Sequence, residues 1–230
     1  MKNLIDSLLV IFNTFKMAFG QCGLTVSSDN PANEDVMRTS TSKVKAVLLV
    51  AVLMMFFSCE IKKEKQKGNE SIINEVMDKE KEYIRMAIEV AKDSKRKGNL
   101  PFGCVLVNKQ GEVVLEAGNT IHTDSNCIAH SEINLIQDAC QKFDHAYLNE
   151  CTIYTSDEPC PMCSSAIYWS GIGRLVYGLS KTRYYAIVGR ENPNWVFEMP
   201  ARELLKNGGR KIEVVGPLLE DEVALLHLMP

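Results

Sequence analysis

The sequence predicts a layered α/β domain from about residue 71, because amphipathic helical segments alternate there with short apolar runs. In the first helical segment, apolar residues recur at helical spacing between lysines and glutamates, and the segment ends at Gly98. Two short apolar runs, Cys104 to Val107 and Val113 to Glu116, flank Lys109-Gln110-Gly111. This arrangement predicts a β-hairpin.

The rest of the chain continues the alternation of helices and strands. Pro161 favours a helix start, because proline is preorganised for the first helical position. The pattern predicts helices over 128–140, 161–170, 181–189, 201–206 and 218–228, and strands over 152–155, 174–178 and 211–215.

Composition narrows the functional classes. The chain has 230 residues, of which 46% are hydrophobic, and this content excludes disorder throughout. Its net charge of −3 gives no global signal for wrapping nucleic acid or coating an anionic membrane. Eight cysteines are too few for a disulfide-stabilised miniprotein, so their spacing matters more than their number.

The N-terminal segment, residues 1–59, differs from the rest. Ala46 to Phe57 is an uncharged apolar run, shorter than the roughly 20 residues that span a bilayer but similar to a signal-peptide apolar region. With basic residues before it and Ser58-Cys59 after it, the segment resembles a bacterial lipoprotein signal.

That resemblance implies lipidation of Cys59, a polar tether over residues 60–70 and a membrane-anchored bacterial lipoprotein. The signal would have an ordinary length if translation began at Met37. Residues 1–36 are then either an over-extended start of the gene model or, if translated, a dispensable leader. The alternative is a buried helix in an ordinary cytoplasmic protein.

Two motifs carry the candidate chemistry, His130-Ser131-Glu132 and Cys160-Pro161-Met162-Cys163. The two cysteines face one side of a first helical turn, whose free N–H groups favour thiolates. Two thiolates and the neutral imidazole of His130 form a three-ligand zinc site with one position left for water. A carboxylate beside that water, Glu132, can move its proton to a substrate.

Two structural alternatives remain for the Cys-x-x-Cys pair. It could be a redox pair, or half of a structural zinc site completed by one of the other cysteines: Cys104, Cys127, Cys140 or Cys151. Both alternatives leave Glu132 without a role.

Taken in order, H-x-E and P-C-x-x-C form the signature of zinc-dependent deaminases. The sequence from about Glu80 to Val215 resembles the cytidine deaminase-like superfamily, and Tyr154 to Trp169 is similar to bacterial guanine deaminase. The resemblance implies a three-layer α/β/α sandwich with a central five-stranded mixed sheet, formed by residues 71–230. It also implies one Zn²⁺ per chain and a homodimer.

The same resemblance implies roles for single residues. His130, Cys160 and Cys163 match the zinc ligands, and Glu132 matches the proton shuttle. Four further residues match substrate contacts: Asn119, Phe102, Trp169 and the backbone N–H of Ser131. Core packing is the alternative role for the two aromatic residues, and a turn is the alternative for the asparagine.

The sequence therefore predicts hydrolytic deamination of a small-molecule nucleobase or nucleoside, with guanine or a related purine as the first substrate. The alternatives are a tRNA-specific adenosine deaminase, a cytosine or cytidine deaminase, and a non-catalytic zinc-binding module. Asp157 and Glu158 would add negative charge beside the ligands. This charge and the net charge of −3 argue against a nucleic-acid substrate.

Overall fold

A computed structural model describes residues 70–228, and these belong to one compact unit that spans Gly68–Pro230. The proposed leader, Met37 and Cys59 lie outside the described residues. Among the residues described, no helix is both long enough and apolar enough to cross a membrane.

The described chain forms helices and strands in close alternation. After helix α1, residues 70–96, come β1 (Gly103–Val107), β2 (Val113–Gly118), α2 (Ser131–Lys142), α3 (His145–Asn149), β3 (Thr152–Asp157), α4 (Pro161–Ser170), β4 (Arg174–Leu179), α5 (Lys181–Val188), a 3₁₀ turn (Pro193–Trp195), α6 (Ala201–Leu205), β5 (Glu213–Val215) and α7 (Glu220–Leu228).

The five strands form one mixed sheet in the order β2-β1-β3-β4-β5. Strand β1 pairs antiparallel with both β2 and β3, whereas β3, β4 and β5 run parallel. Parallel neighbours need a crossover, and α4 supplies it between β3 and β4. The mixed five-stranded sheet is therefore confirmed.

Helices cover both faces of this sheet. Along β1, Cys104 and Leu106 pack in one core cluster with residues of α2 and α4, while Val105 and Val107 pack in a second cluster with residues of α1 and α7. Gly103 lets α1 cross β1 closely, because a Cβ there would lie 2.4 Å from the backbone nitrogen of Ala91. The three-layer α/β/α sandwich is confirmed.

Several element bounds differ from the sequence prediction by one to three residues, and two differences have a clear physical reason. Helix α2 begins at Ser131 rather than at Ile128, because His130 is extended and serves as its N-cap. Helix α3 was not predicted, since five residues are too few to show a helical period; it is capped by Asp144, whose side chain accepts a hydrogen bond from the Tyr147 N–H.

The topology brings several chain segments to one edge of the sheet. The carboxyl ends of the parallel strands β3 and β4 lie there, and so does the start of β1, which runs antiparallel to β3. Because β2 is antiparallel to β1, its carboxyl end also lies at this edge. The segments that follow β2, β3 and β4 carry Asn119, Cys160 and Lys181.

Candidate metal centre and substrate site

Two helix N-termini bring the three predicted metal ligands together. Cys160 is the N-cap of α4, Cys163 lies in its first turn, and His130 is the N-cap of α2. The Nδ1 atom of His130 lies 3.8 Å from the Cys160 Sγ and 3.6 Å from the Cys163 Sγ. All three ligand atoms lie within 4.8 Å of one another.

These separations fit a single tetrahedral zinc ion. Zinc–sulfur and zinc–nitrogen bonds of standard length at a tetrahedral angle place sulfur and nitrogen about 3.6 Å apart. Across residues 70–228, this is the only group of three or more such side chains that could hold a metal ion, and no further cysteine joins it. A four-ligand structural site therefore has no support in the described part of the chain.

The two cysteines differ in how readily they lose a proton. The hydrogen bond from Cys163 is the largest cause that lowers the pKa of Cys160 to about 4, and His130 lowers it further. The same hydrogen bond, together with burial, raises the pKa of Cys163. A thiolate at Cys160 raises the pKa of His130, whereas the nearby charge of Lys181 opposes this rise.

Glu132 lies buried in the first turn of α2, two residues after the histidine ligand. The Ser131 hydroxyl donates a hydrogen bond of 2.9 Å to its Oε2 atom. Burial is the main cause that raises the pKa of the Glu132 carboxyl, and the charge of Cys160 adds to it. A carboxyl with a raised pKa can both hold and release a proton closer to neutral pH.

Asn119 has a polar atom without a partner. The side-chain Oδ1 of Asn119 accepts a hydrogen bond from the Ile121 N–H, and the backbone N–H of Asn119 donates to the carbonyl of Phe102. Its Nδ2 is buried and has no hydrogen-bond partner, the only such side-chain atom among the described residues. Buried donors are rarely left unpaired, so this amide is available to a ligand.

Trp169 does not lie with these residues. It is nine positions after the Cys160 N-cap along α4, which corresponds to about 13 Å of helix axis. The side chain is 79% exposed and contacts the Tyr168 ring edge to face. It lines a shallow surface cavity with residues of α6 and the segment after it, so the chain does not bring it to the metal ligands.

Asp157 and Glu158, which the sequence analysis treated as added negative charge beside the ligands, are both hydrogen-bonded in the structure. Glu158 is buried, and its two oxygens accept hydrogen bonds of 2.8 Å from the N–H groups of Lys181 and Ala201. Asp157 is buried too, and it accepts from the Ser156 hydroxyl and from Nε2 of His227. Both carboxylates are therefore engaged by hydrogen-bond donors.

Three residues near this edge were not predicted to belong to the site: Lys181, Tyr184 and His227. The Lys181 ammonium lies 5.5 Å from the centre of the Tyr184 ring. The His227 ring centre lies 5.0 Å from that of Tyr184 and 5.4 Å from that of Phe102. None of the three lies in a local sequence motif. His227, for example, contacts Asp157, which is 70 positions away in the sequence.

Comparison with known proteins agrees with this geometry. Residues 77–179 match the family described as the cytidine and deoxycytidylate deaminase zinc-binding region. A probable cytosine deaminase of Schizosaccharomyces pombe is 36% identical over 156 residues, which cover 66% of this chain and 93% of that protein.

The descriptions of two further similar proteins name other substrates. A guanine deaminase of Bacillus subtilis is 36% identical over 101 residues, or 44% of this chain and 64% of its own length. A solved structure from a study of A-to-I editing by tRNA:A34 deaminases has 26% identity and a TM-score of 0.52, covering 64% of this chain and 99% of its own.

Proposed function

Because the chain belongs to the cytidine and deoxycytidylate deaminase zinc-binding family, we propose that it hydrolyses the exocyclic amine of a free nucleobase and releases ammonia. One observation carries this proposal. A buried carboxyl, Glu132, lies beside the His130, Cys160 and Cys163 group, where a purely structural metal site has no use for it.

The described residues can perform the proton transfers of this reaction. A zinc ion held by His130, Cys160 and Cys163 supplies the Lewis acidity that makes water a nucleophile near neutral pH. Glu132 would take one proton from the water and pass it to the ring nitrogen beside the reacting carbon. It would then take the remaining hydroxyl proton of the added water and pass it to the leaving amine. The products are the corresponding carbonyl compound and ammonia, so the reaction consumes one water.

Asn119 and Phe102 support binding of a planar base. The unpartnered Nδ2 of Asn119 can donate to a carbonyl oxygen of the substrate, which would satisfy a buried donor. Phe102 is joined to Asn119 by a backbone hydrogen bond of 3.0 Å, so the two residues are neighbours in the structure. Stacking on such a face contributes roughly 1–3 kcal/mol per base.

We place cytosine first and guanine second among the substrates. The relative described as a probable cytosine deaminase matches this chain over 93% of its length, whereas the guanine deaminase matches over 64% of its length. The expectation of guanine drew on the stretch that ends at Trp169, and that side chain lies apart from the metal ligands. Both bases carry a ring carbonyl that Asn119 can bind.

A substrate panel tests the proposal. Ammonia release is measured from zinc-loaded protein with cytosine, guanine, adenine, the three corresponding nucleosides and tRNA. We expect the free base cytosine to give the highest kcat/KM. Highest activity on guanine would correct the order of bases, highest activity on tRNA would favour an editing enzyme, and no ammonia from any substrate would contradict the proposal.

A further inference from the structure

The C-terminal helix α7 places a histidine against the segment that leads to the metal ligands. Nε2 of His227 lies 2.8 Å from Oδ1 of Asp157, and only 3% of the histidine side chain and 6% of the aspartate side chain are exposed. A carboxylate oxygen accepts but does not donate, so Nε2 carries the proton of this hydrogen bond. The bond therefore sets the orientation of the imidazole ring.

The same imidazole packs among aromatic side chains. The ring centres of Phe102 and Tyr184 are 5.8 Å apart, and that of His227 lies 5.4 Å from the first and 5.0 Å from the second. The three rings thus form a continuous aromatic wall, defined here as Phe102, Tyr184 and His227. One member of this wall, Phe102, is a predicted substrate contact.

A chain of hydrogen bonds joins this wall to the start of β1. The Gly103 N–H donates to the Ser156 hydroxyl, which in turn donates to the second carboxylate oxygen of Asp157. The carbonyl of Phe102 accepts from the N–H of Asn119. Asp157 therefore links the end of β3, the start of β1 and the C-terminal helix.

We propose that His227 is a positioning residue for substrate binding, and that its hydrogen bond to Asp157 holds the aromatic wall in place against a planar base. The inference rests on the proposed function, since it assigns a role within the same site. His227 acts through Asp157 and Phe102. In this proposal His227 neither transfers a proton nor binds the metal.

Helix α7 is held to the domain by contacts that do not involve His227. Glu220 accepts from the N–H and the hydroxyl of Ser180, and Arg85 pairs with Glu222 at 2.8 Å. Val223 and Leu226 are buried in the core. Substituting His227 should therefore leave the helix docked, so the variant can be assayed as a folded protein.

The test compares steady-state ammonia release by His227→Ala, His227→Gln and the control Leu225→Ala, using the best base of the substrate panel. Leu225 is an exposed residue of the same helix. We expect His227→Ala to raise KM about tenfold with kcat and bound zinc little changed, a pattern that reports lost substrate binding. His227→Gln should recover most of the wild-type KM, because its amide N–H can replace the Nε2–H donor.

A second measurement does not depend on activity. Long-range ¹H–¹⁵N spectra should show the Nε2-protonated tautomer of His227 in the wild type, and Asp157→Ala should abolish this preference. An unchanged KM in His227→Ala, or an Nδ1-protonated tautomer in the wild type, would overturn the positioning role. If the wild type releases ammonia from no substrate, the proposed function fails instead, and the spectra still decide the hydrogen bond.

Discussion

Asn119 illustrates at the scale of one residue how an unsatisfied group indicates a ligand. Its Oδ1 is used by the Ile121 N–H, but its buried Nδ2 donates to nothing in the described chain. Leaving such a donor unpaired costs about 1–3 kcal/mol, which a bound carbonyl recovers. Stability and substrate binding therefore place different demands on this side chain.

We expect Asn119→Ala to raise KM for the base about tenfold or more, while the free energy of unfolding changes little, because the lost turn bond is offset by removal of an unpaired donor. Steady-state kinetics and urea denaturation measure the two effects. Asn134→Ala is the control, because the Asn134 amide is satisfied by the Gly118 carbonyl and the Thr120 hydroxyl. It should lose stability with KM unchanged, and the opposite pattern would refute the assignment.

Glu158 shows how one carboxylate organises two helices. Its oxygens accept from the first N–H groups of α5 and of α6, which have no partner within their own helices. Glu158, which the sequence analysis treated as added negative charge beside the ligands, therefore serves to hold the starts of α5 and α6.

Replacing Glu158 by Ala should lower the free energy of unfolding by about 2–4 kcal/mol, because two buried N–H groups lose a charged acceptor. Glu158→Gln should give a smaller loss, since one oxygen remains. The shift in urea midpoint measures both, with Glu116→Gln at an exposed site as control. Equal midpoints for all three variants would show that the helix starts do not depend on this carboxylate.

Gly178 marks the contact between β4 and α7. A Cβ at this position would lie 2.5 Å from the Ser156 carbonyl and 2.6 Å from a methyl group of Val223. Helix α7 can therefore approach the sheet this closely only because glycine has no side chain.

We predict that Gly178→Ala costs about 1–3 kcal/mol of stability through overpacking, and that it also raises KM because α7 carries His227. Thermal unfolding and kinetics would be compared with Gly209→Ala, where an added Cβ meets only a hydroxyl at 3.9 Å. A Gly178→Ala protein with wild-type stability would contradict the close packing.

At the scale of the whole molecule, metal binding should couple to folding, since zinc binds the assembled ligand group and not the unfolded chain. Chelation should lower the thermal midpoint by roughly 10 °C, and added zinc should restore it. Cys163→Ala should show neither effect, whereas Cys140→Ala, an exposed free thiol outside the group, should behave as the wild type. A chelator-insensitive wild type would contradict the coupling.

Local patterns predicted much of this molecule. The helix predicted at 161–170 from Pro161 has the bounds of α4, and the structure shows that it ends at Gly171, which adopts a positive φ of 93°. The metal ligands could also be predicted, since two short motifs at helix starts encode them. The five-stranded mixed sheet and the sandwich were implied by family resemblance rather than by periodicity, and the strand order was not predicted.

Long-range contacts could not be predicted in this way. The Asp157–His227 hydrogen bond joins residues 70 positions apart, and neither residue lies in a repeating pattern that marks the other. The burial of Glu158 by two helix starts depends on how β4, α5 and α6 pack. Trp169 lay within a resembling stretch, but helix geometry carries it away from the ligands.

We propose that a zinc site with Glu132 as proton carrier deaminates a nucleobase. The most direct test is Glu132→Gln, assayed together for zinc content and for ammonia release. We predict one zinc per chain in both proteins and a loss of about 100-fold or more in kcat for the variant. Undiminished ammonia release by a zinc-loaded Glu132→Gln protein would show that Glu132 does not carry the proton.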